Sequence, residues 1–208
     1  MGANKFDGAA GLVTARIMAV MNRDAELEAV GILAPHPGDR ILAIGIGPGV
    51  GIGHLISSAE GLTVVGVDPS VVMLTAARQR NRPAIESGAV TLVQTTADAL
   101  MWGDASFDGA VAVNSLQLWE PLEASLAEVA RVLRPGARLV TLTHDWAVER
   151  STGRTPDSWA DYIGELGERF GLTELATWRA RAEHGRSVVV TLTKRELQEP
   201  AVLSTEIS

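Results

Sequence analysis

Apolar residues recur along this chain in two rhythms. Between residues 14 and 33 they fall at Ile17, Met18, Met21, Leu27, Val30 and Leu33, close to the spacing of one helix face, and Pro35-His36-Pro37-Gly38 ends the pattern. Asn22 marks a point where this leading helix can break. From residue 40 onward, short unbroken apolar runs alternate with amphipathic stretches. They predict strands near 40–45, 63–68, 90–94, 108–114 and 138–144, with helices near 51–59, 70–82 and 121–133. Runs that do not alternate belong to strands buried on both faces, so the plan is an α/β parallel sheet covered by helices on both sides. A helix near 157–170 is followed by two more runs, Leu172 to Arg181 and Arg186 to Lys194, joined at Glu183-His184-Gly185. So short a connection makes an antiparallel hairpin. The expected organisation is cap helices over 1–37, one α/β domain over 38–195, and a polar, unpatterned tail at 196–208 expected to be mobile.

The first of these strands runs into a glycine loop, Ile44-Gly45-Ile46-Gly47-Pro48-Gly49-Val50-Gly51, and then into a helix. Glycine lets the backbone take positive φ and approach a ligand, and the helix that follows presents unpaired N–H groups. The register excludes two common ligands. G-x-G-x-x-G fails from every starting glycine, because its third position falls on Val50, Ile52, His54 or Ile56, and no Gly-Lys-Ser/Thr follows as a P-loop requires. What remains is G-x-G-x-G, with Asp68 ending the next apolar run. In open α/β sheets ligands lie beyond the carboxyl ends of the strands near the switch in strand order, which gathers Gly45–Gly49, Asp68, Ala97-Asp98 and Asn114 around one crevice. A carboxylate at Asp68 can accept from both hydroxyls of a ribose; the alternative is that Asp68-Pro69-Ser70 only caps a helix.

At these residues the chain resembles the class I S-adenosylmethionine (SAM)-dependent methyltransferases, most closely the small stand-alone members similar to the ubiquinone/menaquinone-biosynthesis type. The resemblance continues through Ala97-Asp98-Ala99, Phe107-Asp108-Gly109-Ala110-Val111-Ala112-Val113-Asn114 and Glu128-Val129-Ala130-Arg131-Val132-Leu133-Arg134-Pro135-Gly136, and it covers roughly residues 14 to 144. It implies a Rossmann-like seven-stranded sheet in the order 3-2-1-4-5-7-6 with the last strand antiparallel. It also implies SAM as cofactor, held by Gly45, Ile46, Gly47, Gly49, Asp68, Pro69, Met73, Ala97, Asp98, Ala99 and Asn114. The family's acid at the Asp98 position accepts from the adenine amino group; Met73 packs on the adenine or on the core. One position departs from the pattern: Ala43 stands where the family usually has Asp or Glu, the acid that supports the amino-acid end of SAM. The amino group is then expected to rely on backbone carbonyls near Gly45 and Asn114.

Composition narrows the partners. With 208 residues the chain fits one sizeable core, and its net charge of −7 argues against a nucleic-acid or anionic-membrane partner. Arg78, Arg80 and Arg82 form the one basic cluster and read as a solvated helix end. No apolar run approaches the ~20 residues that span a bilayer, no signal-peptide pattern opens the sequence, and Phe6 replaces the Ser or Thr of a myristoylation signal. The chain has no Cys, hence no disulfide, thiolate nucleophile or zinc-thiolate site. The cytoplasm is the expected compartment, a small-molecule acceptor the expected partner, and the leading helix can cover the site or pair with a second copy in a homodimer.

Methyl transfer from a sulfonium is an in-line displacement governed by positioning. A hydroxyl acceptor also has to lose a proton. His144, directly after the fifth strand, is the candidate general base, with an ordinary pKa near 6.5. Glu120 can orient His144, or with Asp145 help it hold Mg2+ or Mn2+. Trp119 and Trp146 follow the fourth and fifth strands and Trp159 lies near the next helix. Wide amphipathic faces beside Glu120 and Asp145 suit a polyhydroxylated acceptor, and the chain is also similar in size and strand-end pairing to small actinobacterial sugar O-methyltransferases. The expected activity is therefore SAM-dependent O-methylation of a small polar acceptor. The alternatives are an N- or C-methyltransferase, which needs no His144, and a SAM-binding protein without catalysis.

Overall fold

The computed structural model describes residues 20–182 and 185–196; the expectations for residues 1–19, for Glu183 and His184 and for the tail from 197 onward fall outside the described residues. The leading helix does break at Asn22, and α1 runs from Arg23 to Leu33. Its buried stripe is Ala25, Ala29, Val30 and Leu33, whereas Leu27, expected on the inner face, is 55% exposed. Residues 25, 29 and 33 recur every fourth position, so Leu27 points away from them. Two alanines in that stripe let the helix lie close against the sheet.

After α1 come β1 (Arg40–Ile44), α2 (Val50–Ser58), β2 (Thr63–Val67), α3 (Val71–Arg80), α4 (Arg82–Glu86), β3 (Val90–Val93), β4 (Phe107–Val113), α5 (Leu122–Val132), β5 (Leu133–His144), α6 (Asp145–Thr152), α7 (Pro156–Arg169), β6 (Leu172–Ala182) and β7 (Gly185–Lys194). The strands form one seven-stranded sheet in the order β3-β2-β1-β4-β5-β7-β6. Pairs from β3 to β5 are parallel, and β7 runs antiparallel to both β5 and β6. The order and the single antiparallel strand are those the resemblance implied.

Both faces of the sheet are covered, and the alternation of β1 shows how. Leu42 and Ile44 join Val65, Phe107, Ala110, Leu126, Val129 and Ile163 beneath α5 and α7. Ile41 and Ala43 point the other way, to Ala29, Leu33, Leu55, Val64, Leu74 and Val111 beneath α1, α2 and α3. An unbroken apolar strand therefore serves two cores at once.

Three local readings change. The expected helix over 70–82 is two, because Pro83 has no N–H with which to continue the first helix but is tolerated in the first turn of a new one; the chain turns at Asn81 and restarts as α4. The fifth strand starts at Leu133, which pairs with Phe107, and the ladder resumes at Arg138 opposite Gly109, after a bulge that includes Gly136 at φ 79°. Helix α6 was not predicted at all: it begins at the strand end with His144 as its N-cap and stops at Gly153 in the left-handed region.

Candidate active site

Four strand ends, those of β2, β1, β4 and β5, stand side by side and carry Asp68, the glycine loop, Asn114 and His144. The loop is tied down from every side. Gly45 and Ile46 donate to Val67 O at 2.8 and 3.2 Å, and Gly47 N donates to Asp68 Oδ2 at 2.9 Å. Asn81 Nδ2 donates to Gly49 O at 2.9 Å, and Arg80 donates to Pro48 O. Arg80, read from sequence as part of a solvated helix end, is thus a clamp on the loop.

Glycine is required at both ends of this turn. Gly45 has φ 68° and a Cβ there would stand 2.3 Å from the Ser115 Cβ; at Gly49, φ 76°, it would stand 2.8 Å from the Ala77 Cβ. Ser115 itself donates to Ile44 O at 2.8 Å, holding β4 against the loop.

Asp68 is 7% exposed and accepts from Ser70 N at 2.8 Å through Oδ1 as well as from Gly47 N. Burial raises its pKa, and the two backbone hydrogen bonds oppose that rise. The helix cap proper belongs to Ser70, whose Oγ accepts from Met73 N at 3.3 Å. Asp68 therefore couples the loop to the start of α3, and each carboxylate oxygen keeps a further lone pair for a ligand donor. Ile46 is buried, Pro69 exposed, and Met73, 2% exposed, lies inside the core. Ala97 is buried, with Asp98 half-buried and Ala99 exposed on the loop after β3, and Ala99 N donates to Thr96 O at 3.2 Å. Arg131 fastens the rest of that loop, donating to Leu100 O and Trp102 O at 3.0 and 2.9 Å while paired with Glu128.

Asn114 is a junction. At φ 49° it is a non-glycine residue in the left-handed region, where Asn is among the few that sit easily. Its Oδ1 accepts from His144 N at 2.8 Å, its Nδ2 donates to Asn22 Oδ1 at 3.0 Å, and its carbonyl accepts from Gln117 Nε2 at 3.0 Å. It thus joins the ends of β4 and β5 to the helix that precedes the sheet.

The acceptor side differs from expectation. His144 does not open onto the crevice: it is 0% exposed, its Nδ1 lies 2.8 Å from Ser187 Oγ, and Trp146 stacks over it at 6.1 Å. It is the last residue of β5, in register with Ser187 on β7, so the two side chains share a sheet face. Ser187, not Glu120, orients the imidazole. Glu120 is exposed and Trp119 half-buried against the core beneath α5 and α7. Asp145 is paired with Arg179, which also donates to Asp157 at 3.1 Å. Trp146 is 49% exposed, while Trp159, 4% exposed, is a core residue. Among the described residues no three His, Asp or Glu side chains converge as a metal site would need, and no helix is long and apolar enough to cross a membrane.

One acid in this region was not singled out from the sequence. Glu26, on α1, turns its carboxyl towards Gly51 at the start of α2 and lines a small cavity with Ala43, Ile44 and Gly45.

Comparison with known proteins gives the same family. Residues 42–141 match the family described as a methyltransferase domain. An O-methyltransferase of Pyrenophora dematioidea is 34% identical over 113 residues, 54% of this chain and 42% of that protein. A demethylmenaquinone methyltransferase of Corynebacterium kroppenstedtii is 36% identical over 107 residues, 51% of this chain and 42% of that protein. This chain thus spans about two fifths of the length of these curated relatives. Among solved structures, a SAM-dependent methyltransferase from Aquifex aeolicus superposes with a TM-score of 0.66 at 17% identity, over 85% of this chain and 92% of that one. The SAM cradle fits what the fold offers: a glycine turn that any Cβ would fill, an acid closing the neighbouring strand, and half-buried Asp98 at the next. Residues 42–141 thus match the methyltransferase-domain family, and the fold is one shared with SAM-dependent methyltransferases.

Proposed function

We propose that this protein transfers a methyl group from SAM to a hydroxyl of a small polar acceptor. The observation that carries the reading is the glycine turn, clamped by Asp68, Asn81 and Arg80 beside the strand end of Asn114, with Trp119 and Trp146 on the elements that follow β4 and β5. The O-methyltransferase names of relatives such as the Pyrenophora protein support oxygen as the acceptor atom. SAM, when bound, supplies a methyl group on a sulfonium that leaves as a neutral thioether. Asp68 would accept from its ribose and Asp98 from its adenine amino group, with the loop backbone beside its amino-acid end.

The acceptor oxygen forms its bond to the methyl carbon as the carbon–sulfur bond breaks, and the hydroxyl proton has to leave. His144 is the proposed acceptor of that proton. With Nδ1–H turned to Ser187 Oγ, Nε2 carries the lone pair, and Trp146, half-exposed above the ring, has to move aside for a substrate to reach it. The exposed ring of Trp146 and the exposed carboxylate of Glu120 suit a sugar or another polyhydroxylated compound.

The burial of His144 favours a second reading, in which the acceptor is a nitrogen or an activated ring carbon and His144 only fixes the end of β5. Incubation with methyl-labelled SAM and separate pools of sugars, phenols, amines and quinone precursors distinguishes them. Label in the sugar or phenol pool, lost in a His144→Ala variant, supports the leading reading; label confined to the amine or quinone pools refutes it.

A further inference from the structure

The helix that precedes the sheet brings an acid into the cofactor cradle. On α1 the buried stripe is Ala25, Ala29, Val30 and Leu33, and Glu26 lies three, four and seven residues from the last three, on the flank that faces the sheet. α1 packs on α2, β4 and β5, so a long side chain at this position can reach only inward or up towards the ends of the strands. It reaches the glycine loop. A Cβ at Gly51 would stand 2.1 Å from Glu26 Oε2, so the absence of a side chain there makes the room the carboxyl uses.

Beside the carboxyl is a cavity with about 10 Å3 open to the centre of a water-sized sphere, lined by Ala43, Ile44, Gly45, Ile52, Val111 and Val113. That is the size of one water molecule or one ammonium group. Apart from Glu26 its side chains are apolar, and among the described residues no cation or hydrogen-bond donor meets the carboxyl. An unpartnered acid in such a place is costly to keep charged. Burial alone pushes its pKa up to about 8.

Other charges are accounted for elsewhere. The only ionisable residue of α2, His54, is made less basic by burial and by Arg23. Arg40 and Asp108, the only ones in β1 and β4, sit at the opposite ends of those strands, where Arg40 N donates to Asp108 Oδ2 at 2.8 Å. On β5, Arg138 donates to Leu33 O at the far end of α1, and His144 pairs with Ser187.

We propose that Glu26 binds the ammonium group of the cofactor's amino-acid end, directly or through one water in this cavity, so that the carboxylate comes from α1 and not from β1. Ala43 then has a reason to be small: it leaves β1 without an acid and gives the space on that sheet face to Glu26. The expectation that the amino group relies on backbone carbonyls alone is replaced. The proposal rests on SAM as cofactor, and it adds a consequence that a merely structural acid does not have. Glu26 is protonated in the free protein at neutral pH and has to ionise when an ammonium arrives, so binding expels a proton.

The test is calorimetric and uses two nucleosides, S-adenosylhomocysteine and 5′-methylthioadenosine, which lacks the amino-acid end. Titrations at neutral pH in two buffers of different ionisation enthalpy give both affinity and protons released. The wild type should release close to one proton on binding S-adenosylhomocysteine. Glu26→Gln should bind it at least tenfold more weakly and without that release, while binding methylthioadenosine as the wild type does. Equal affinity and equal proton release for S-adenosylhomocysteine in both proteins overturns the role of Glu26 and leaves the SAM reading standing. A wild type that binds neither nucleoside overturns the SAM reading itself.

Discussion

Replacing Glu26 by glutamine should remove a pH dependence of stability that the wild type carries in the absence of any ligand. The carboxyl titrates near 4.5 when unperturbed and at about 8 in the folded chain, because it is buried beside apolar groups. A carboxyl whose folded pKa is raised holds its proton longer than in the unfolded chain. The stability it contributes is complete below about pH 4.5 and is lost as pH rises towards 8. Each pH unit in that window costs about 1.4 kcal/mol for a group shifted in full. Glu26 as a whole is only half-buried, and solvent screening reduces the effect, so a loss of ~2–3 kcal/mol between pH 5 and 8 is expected. Glutamine matches the protonated acid in shape and does not titrate. Urea unfolding of both proteins at pH 5, 6, 7, 8 and 9 reads the difference directly: the two should be alike near pH 5, the Glu26→Gln variant should gain steadily on the wild type to pH 8, and the gap should then level off. A gap that stays constant across this range would show that the carboxyl is not buried as described and would falsify the account.

The other expectations are more local. Asp68→Ala leaves Gly47 N and Ser70 N without their acceptors, at ~1–3 kcal/mol each, and should weaken S-adenosylhomocysteine roughly tenfold to a hundredfold by calorimetry; unchanged affinity would reduce Asp68 to a structural tie. Gly45→Ala sets a Cβ against Ser115 at a backbone angle that suits glycine and should cost ~2 kcal/mol or more in urea unfolding, with cofactor affinity falling in step. His144→Ala should lower the single-turnover rate ~10²–10⁴-fold with cofactor affinity nearly intact if the imidazole takes the proton. A rate within about threefold of wild type makes His144 a strand-end fixture and favours the nitrogen or carbon acceptor.

Much of the fold was legible because its signals are local. Ile41 to Ile44 and Thr63 to Val67 are unbroken apolar runs because two cores claim alternate residues, and the short link at Glu183-His184-Gly185 forces the final hairpin. The loop and Asp68 were legible for the same reason, since each lies at the end of such a run. What could not be read depends on register and on partners distant in sequence. His144 was placed correctly at the end of β5, but its burial follows from the pairing with Ser187, 43 residues later. The split at Asn81 was written in Arg82-Pro83, whereas the loop contacts of Asn81 and Arg80 reach 32 residues back. Helix α1 misled because its inner face is built of alanines. Val30 and Leu33 do face inward, but Leu27 does not, and nothing in the apolar pattern singles out Glu26. The signal that would have found it is a pair of absences: no acid at Ala43 and no side chain at Gly51.

Those absences bear on how the two halves of the site communicate. Glu26 belongs to the same short helix whose N-cap, Asn22, accepts from Asn114 Nδ2, and Asn114 Oδ1 in turn accepts from the N–H of His144. A cation that draws the Glu26 carboxylate therefore pulls on a helix tied through one asparagine to the strand end where the acceptor is expected. Asn114→Ala would cut both ties without touching the glycine loop. If cofactor and acceptor sites are coupled through this route, that variant, saturated with S-adenosylhomocysteine whatever its own affinity for it, should lose the tightening of acceptor binding that the cofactor produces. The coupling energy between two such sites is typically about 1–3 kcal/mol, so the lost factor should lie between about fivefold and a hundred and fiftyfold. Acceptor affinity measured with and without S-adenosylhomocysteine, in wild type and in Asn114→Ala, decides it, and an undiminished factor in the variant means the two sites are coupled through the loop alone or not at all.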